Sequence, residues 1–405
     1  MSARQFTLWL FALIALALAA VAAFNRVIDP FWYYRDIEIS GFNAVKPRFA
    51  RFERHVKPAL LARERPDAIV LGNSFAEIGF DALDKSLTDD GRLRGYNFAF
   101  AGAGWDLEQC ALDYALKHSR IQRAVLGISP GALPRADCSQ VWQGMSASSA
   151  ELLLSTNALD NAIRTVAEQR RARPSHTREG RYLYTRDVPG ATLRFREYFL
   201  RDSKTQTQCA PQRLRTPAPL APIASAVQPI QPAANLDLAG LRSVIRAARA
   251  HGAELAFVIY PRHALSLELE FVCGGARARW SLIAAIAQTV AEEAPDGSAS
   301  LWVFDGYDAS RGERVVGREP QYWQDPEHFN FELGARMLAD IYPSEYGNEY
   351  PSKYGREPSF GARVTAGNID AVYTHLLAQR ERFLAASDWF YGDLRTLAAP
   401  APALR

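Results

Sequence analysis

Residues 68 to 81 read AIVLGNSFAEIGFD. The apolar run Ala68–Leu71 stops at Gly72-Asn73-Ser74, and an acidic, helix-compatible segment follows. A short unbroken apolar run bounded by a glycine predicts a buried strand. Ser74 then stands at the first turn beyond it. There it can cap a helix or, at a strand end, act as a nucleophile.

Working outward, strand and helix patterns alternate. Further strands are predicted at Tyr96–Ala101, Arg123–Ile128, Glu254–Tyr260 and Leu301–Phe304, and helices at Leu107–Leu116, Leu238–Ala250, Trp280–Ala291 and Phe329–Ile341. His251-Gly252 ends the second of these helices as a C-cap does. This rhythm predicts an α/β fold around a parallel sheet of about five strands. Sites in such sheets lie beyond the carboxyl ends of the strands. Ser74, Gly102, Ser129, Arg262, His263 and Asp305 all follow strand ends and are expected along that edge.

The chain has 405 residues, 48% of them hydrophobic and 22% charged, with a net charge of +3. That composition fits a globular body and gives no reason to expect a nucleic-acid partner. There is no C-x-x-C pair and no His/Cys cluster at zinc spacing, so neither a metal nor another cofactor is expected. Phe6–Phe24 carries no charge and is bracketed by Arg4 and Arg26. The run is close to the roughly 20 residues that cross a bilayer. Ala20-Val21-Ala22 matches a signal-peptidase site, but the run exceeds the usual apolar core of about 7–15 residues, which favours an uncleaved anchor over residues 1–25.

Residues 26–64, aromatic-rich with Pro30 and Pro47, read as an extended juxtamembrane segment. The main domain is assigned to residues 65–345 and a C-terminal extension with a disordered end to 346–405. Residues 133–235 break the α/β rhythm and read as an insertion over or beside the site. It holds a helix at Ala150–Gln169, a basic run at 170–181 read as solvated surface, and a proline-rich linker at 210–235. Export would let Cys110, Cys138, Cys209 and Cys273 form disulfides. Three pairings are open; Cys138 and Cys209 bracket the irregular region and are the preferred pair, with buried free thiols as the alternative.

Among seven histidines, His328 has a carboxylate three residues before it, in Asp325-Pro326-Glu327-His328. At that spacing Asp325 can orient the imidazole and His328 can act as general base. The same residues also read as a helix start, with Asp325 as N-cap and Pro326 at the first position. A rival serine, Ser129, lies in Gly127-Ile128-Ser129-Pro130-Gly131, a G-x-S-x-G match. An elbow of that kind needs the backbone N–H of the residue after the serine, and Pro130 has none.

Gly72-Asn73-Ser74 resembles the G-D-S block of the SGNH (GDSL) hydrolase superfamily, with Asn in place of Asp. Asp325-x-x-His328 resembles its D-x-x-H block, and Gly102 its second-block glycine. The resemblance covers about residues 65 to 345 and is closest to membrane-anchored envelope members, some of which move acetyl groups onto polysaccharides. It implies a flavodoxin-like three-layer α/β/α fold and a catalytic triad of Ser74, His328 and Asp325. The oxyanion would be held by the N–H groups of Ser74 and Gly102. Asn73, Arg262 and His263 are candidate substrate contacts. The implied activity is that of a serine esterase or O-acyltransferase on acyl esters of an envelope polysaccharide, working from the bacterial inner membrane with a periplasmic body (or free in the periplasm if the signal is cleaved). One departure stands out. The family's usual asparagine after the third strand is missing, leaving Asn73, Asn97 or Ser129 as substitutes. That gap motivates the alternative of an inactive scaffold that binds a glycan or a membrane acyltransferase partner.

Overall fold

A computed structural model describes residues 2–143, 145, 147–171, 173–183, 190–206, 228–343 and 360–398, with residues 200–206 described by their backbone alone. The chain divides into two compact units, residues 1–65 with 137–185, and residues 66–136 with 186–405.

In the larger unit, six strands form one sheet in the order β2-β1-β3-β4-β5-β6. They are β1 (Ala68–Leu71), β2 (Gly95–Asn97), β3 (Arg123–Ile128), β4 (Glu254–Ile259), β5 (Ala299–Val303) and β6 (Ala362–Val364). β1 to β5 pair in parallel, and β6 runs antiparallel to β5. All four residues of β1 are buried, as expected of a central strand covered on both faces. Chain order reverses at β1, which places the crevice for a ligand beyond the carboxyl ends of β1 and its neighbours. β6 belongs to the segment read as a C-terminal extension and is a strand the sequence pattern did not announce. At three residues it is too short for periodicity to register.

Close contacts fix the helices around the sheet. The helices Ser74–Gly79 and Phe331–Ile341 meet at two glycines, since a Cβ at Gly334 would fall 1.9 Å from the carbonyl of Gly79. On the helix Ala239–Ala250, a Cβ at Gly240 would meet Gln109 and the Trp105 indole of the helix Trp105–His118. Beyond β6, the helices Ile369–Ala386 and Phe390–Ala398 dock on the body. Arg380 forms a two-pronged ion pair with Glu268, and Arg314 pairs with Asp393.

The smaller unit begins with the helix Ala3–Ile28. Ser2 caps it in a capping box with Gln5, and it is long and apolar enough to cross a membrane, none of that apolar window being buried. Residues 29–48 are turns and irregular backbone, but the rest of the segment read as extended is a helix, Phe49–Glu64. Pro58 lies inside it and reads locally as a breaker. The stretch Ala150–Gln169 is two helices, Ser149–Leu154 and Thr156–Glu168, broken at Ser155, which caps the second. The basic run is not wholly solvated: His176 is buried and pairs with Glu53 at 3.2 Å. Cys110, Cys138 and Cys273 are disulfide-bonded and no described cysteine is free. The preferred pairing involves Cys209, which lies outside the described residues, as do most of the proline-rich linker and the last residues of the tail.

Candidate active site

The first strand delivers Ser74. The backbone turns at Gly72 with φ of +138°, and a Cβ there would come within 2.2 Å of the Tyr260 hydroxyl. Only glycine tolerates both demands. Asn73 is the N-cap of the helix Ser74–Gly79, its side-chain oxygen accepting from Phe75 N–H at 3.0 Å. Ser74 is the first helical residue. Capping leaves the half-buried serine hydroxyl free for another partner, because a different residue does the capping.

His328 Nε2 lies 2.9 Å from Ser74 Oγ. On its other side, His328 Nδ1 lies 2.8 Å and 3.0 Å from the two oxygens of Asp325. A carboxylate only accepts, so Nδ1 carries the proton and Nε2 presents a lone pair to the serine hydroxyl. Asp325 also accepts the backbone N–H groups of Glu327 and His328, at 3.0 and 2.9 Å. Burial alone would raise its pKa. The hydrogen bond from His328, with the two backbone N–H donors, outweighs burial and holds the carboxyl below its ordinary range. The Phe75 ring stands edge-on to the imidazole, 4.7 Å away.

Asp325 is not the N-cap of the helix that follows it. That helix starts at Phe331 and is capped by Asn330, so Asp325-x-x-His328 forms a separate turn. Several contacts brace this turn. His263 N–H donates to the Pro326 carbonyl, and the Gln324 N–H to that of His328. From the helix Ala191–Gln206, Arg194 donates to the Gln324 carbonyl and the Tyr198 hydroxyl to Glu327. Arg194 and Tyr198 carried no signal in the sequence, because they lie in the irregular insertion more than 120 residues from their partners.

The two candidate oxyanion donors, Ser74 and Gly102, follow the ends of β1 and of the strand beside it. The N–H of Phe98 pairs with Val70 and that of Phe100 with Gly72. Beyond that pairing the chain turns, with Gly102 at φ of +66°. Among the described residues neither the Ser74 nor the Gly102 N–H makes a hydrogen bond within the protein, which suits both to an incoming oxyanion.

Other expected site residues are bound up in the fold. Asn97 is fully buried, its amide donating to the carbonyls of Ala76, Glu77 and Phe80. It ties down the end of the helix Ser74–Gly79, and its amide is committed to those carbonyls. Ser129 is exposed past β3. Arg262 and His263 are both held by protein partners. Arg262 is engaged by Asp305 and Glu270, and Arg279 shares Asp305 at 2.9 Å. His263 caps the helix Ala264–Cys273 through Nδ1, donates from Nε2 to the Glu313 carbonyl, and is driven by burial down to about 3. Trp323, just before the Asp325–His328 turn, is 2% exposed and belongs to the core. Two buried groups near the turn escaped the sequence reading. Burial, and then the charge of Glu108, hold the Tyr260 phenol well above its ordinary range. Burial, and then Asp106, push Glu108 up to about 8.

No family model, no curated protein and no solved structure matches this chain. The chemical reading therefore stands on the geometry and on the motifs.

Proposed function

We propose that this protein is a membrane-anchored, SGNH-like serine hydrolase or acyltransferase that acts on acyl esters, with acetyl esters of an envelope polysaccharide as the preferred substrate class. The observation that carries the reading is the unbroken chain from Ser74 Oγ through His328 to Asp325, at 2.9 and 2.8 Å. It lies where a parallel sheet gathers its ligands. The parallel strand order 2-1-3-4-5 is supported as flavodoxin-like by its reversal at β1.

In this mechanism Ser74 Oγ attacks the ester carbonyl carbon while His328 Nε2 takes its proton. The carbonyl oxygen becomes an oxyanion facing the N–H groups of Ser74 and Gly102. The tetrahedral centre collapses, the bond to the alcohol breaks, and His328 returns the proton to the leaving oxygen. Water or a sugar hydroxyl then attacks acyl-Ser74 by the same steps in reverse, releasing acid or a new ester. The helix Ala3–Ile28 would hold the body at the bacterial inner membrane, facing the periplasm. A membrane-bound acyltransferase would be the partner that supplies acyl groups.

A second reading, a non-catalytic scaffold, is favoured by one observation: Asn97 is consumed by the fold, and no asparagine follows β3. An oxyanion donor is worth about 3–4 kcal/mol, so losing one slows the chemistry and leaves the nucleophile intact. The readings separate by treating the protein with a sulfonyl fluoride and weighing it intact. The enzyme reading expects one adduct, absent in Ser74→Ala and His328→Ala. A folded protein that takes no adduct leaves the scaffold.

A further inference from the structure

Where the helix Ala3–Ile28 ends, the small unit gathers exposed apolar side chains. Ile37 is 39% exposed, Ile39 52% and Leu154 45%. Isolated exposed hydrophobes need no explanation, but a group fixed around one helix end does. These are rigidly placed. The Asn43 amide donates to the carbonyls of Val27, Ile28 and Ile37 and accepts the N–H of Ile39 at 2.7 Å. Lys46 donates to the Ile28 carbonyl at 2.9 Å. On another side, the Asn25 amide donates to the Leu153 carbonyl at 2.7 Å, which sets Leu154 beside the same helix end.

Charge is sorted accordingly. In Asp36-Ile37-Glu38-Ile39 acids and isoleucines alternate along irregular backbone, and all four residues are exposed. Asp36 pairs with Arg26 and Glu38 with Arg178. Both acids are thus neutralised, and the isoleucines are left uncovered. Tyr33 and Tyr34, half-buried earlier in the same loop, with Arg26 over the Tyr34 ring, fit the aromatic belt of a membrane interface.

Helix length fixes the level. Twenty-six residues rise about 39 Å, against a hydrocarbon core of roughly 30 Å. The uncharged run Phe6–Phe24 fills that core, so Asn25–Ile28 stand in the headgroup layer, and the loop bound to their carbonyls stands there too.

We propose that Ile37, Ile39 and Leu154 form an apolar collar seated in the headgroup–acyl boundary of the bilayer, fixing the small unit against the membrane beyond what a single helix can do. The occupant is lipid, because the patch is continuous with the helix that crosses it. The inference rests on the anchor reading and is independent of the chemistry at Ser74.

The test uses the full chain in lipid nanodiscs. Since no described cysteine is free, Ile39→Cys and, separately, Leu13→Cys offer a thiol for an NBD fluorophore. The collar expects label at 39 to be quenched by nitroxide placed high on the acyl chain, about 5–10 Å deep, and to resist aqueous iodide several-fold. Label at 13 should respond to deep nitroxide. Iodide quenching at 39 with lipid quenching at 13 overturns the collar and keeps the anchor. Iodide quenching at both overturns both. Protection at 39 from iodide and nitroxide alike means that protein covers the patch, which also overturns the proposal.

Discussion

At the scale of single residues, the oxygen of Asp325 facing His328 Nδ1 decides whether Ser74 meets a lone pair or a proton. An Asp325→Asn amide can donate to Nδ1 and invert the tautomer, so that Nε2 bears the hydrogen. Acyl-ester turnover should then fall by about 10³–10⁴-fold with the fold preserved, checked by kcat together with circular dichroism. A fall under tenfold would mean that Asp325 only caps its turn. Ser74, Asp325 and His328 were legible because each announces itself locally, by a glycine after an apolar run or by a carboxylate at i−3. The fates of Asn97, Arg262 and His263 were not. A polar residue in or just past a strand looks the same whether it faces solvent or carbonyls about 20 residues away, as Asn97 does. Burial of a side chain is decided by partners that spacing does not reveal.

Among the elements, the helix Ala264–Cys273 bears most on the site, because its cap, His263, also holds Pro326. His263 is neutral when folded, its pKa lowered by burial to about 3. An unfolded histidine binds its proton near pH 6.5. Below that pH the unfolded chain takes up a proton that the folded chain refuses. This contribution to stability is therefore complete above about 6.5 and is lost as pH falls toward 3, at about 1.4 kcal/mol per pH unit. His263→Asn keeps a good cap and removes the titration. Urea unfolding between pH 7 and 4 should give the variant a shallower pH slope, with a cost of about 1 kcal/mol at pH 7 for the lost bond to Glu313. Equal slopes would show that His263 is not held neutral. The core elements β1 and β3 to β5 were legible within two residues, since unbroken apolar runs have few other uses. The helix Phe49–Glu64 was not, because Pro58 sits inside it.

For the larger unit as a whole, the question is what joins the C-terminal helices to the α/β body. Glu268 has no exposed side-chain surface and collects Arg380 twice, at 2.6 and 2.7 Å, with the hydroxyls of Tyr391 at 2.6 Å and Tyr307 at 3.0 Å. Every partner is a donor, and Arg380, Tyr307 and Tyr391 all come from beyond β5. Glu268 lies on the helix capped by His263, so one element receives the C-terminal segment and steadies the Asp325–His328 turn. Glu268→Gln removes the charge and turns an amide donor toward donors, leaving Arg380 without its counter-charge. Breaking a buried pair from one side costs about 3–5 kcal/mol. The unfolding midpoint should drop accordingly, and limited proteolysis should cut within residues 369–398 before it cuts the sheet. Arg380→Met tests the same joint from the other side, and the double variant should cost less than the two single changes added together, because the ion pair can be lost only once. If Glu268→Gln shifts stability by less than about 0.5 kcal/mol, as an ordinary surface change does, the apolar contacts of Phe390, Leu394 and Leu397, all fully buried, hold the segment without the ion pair.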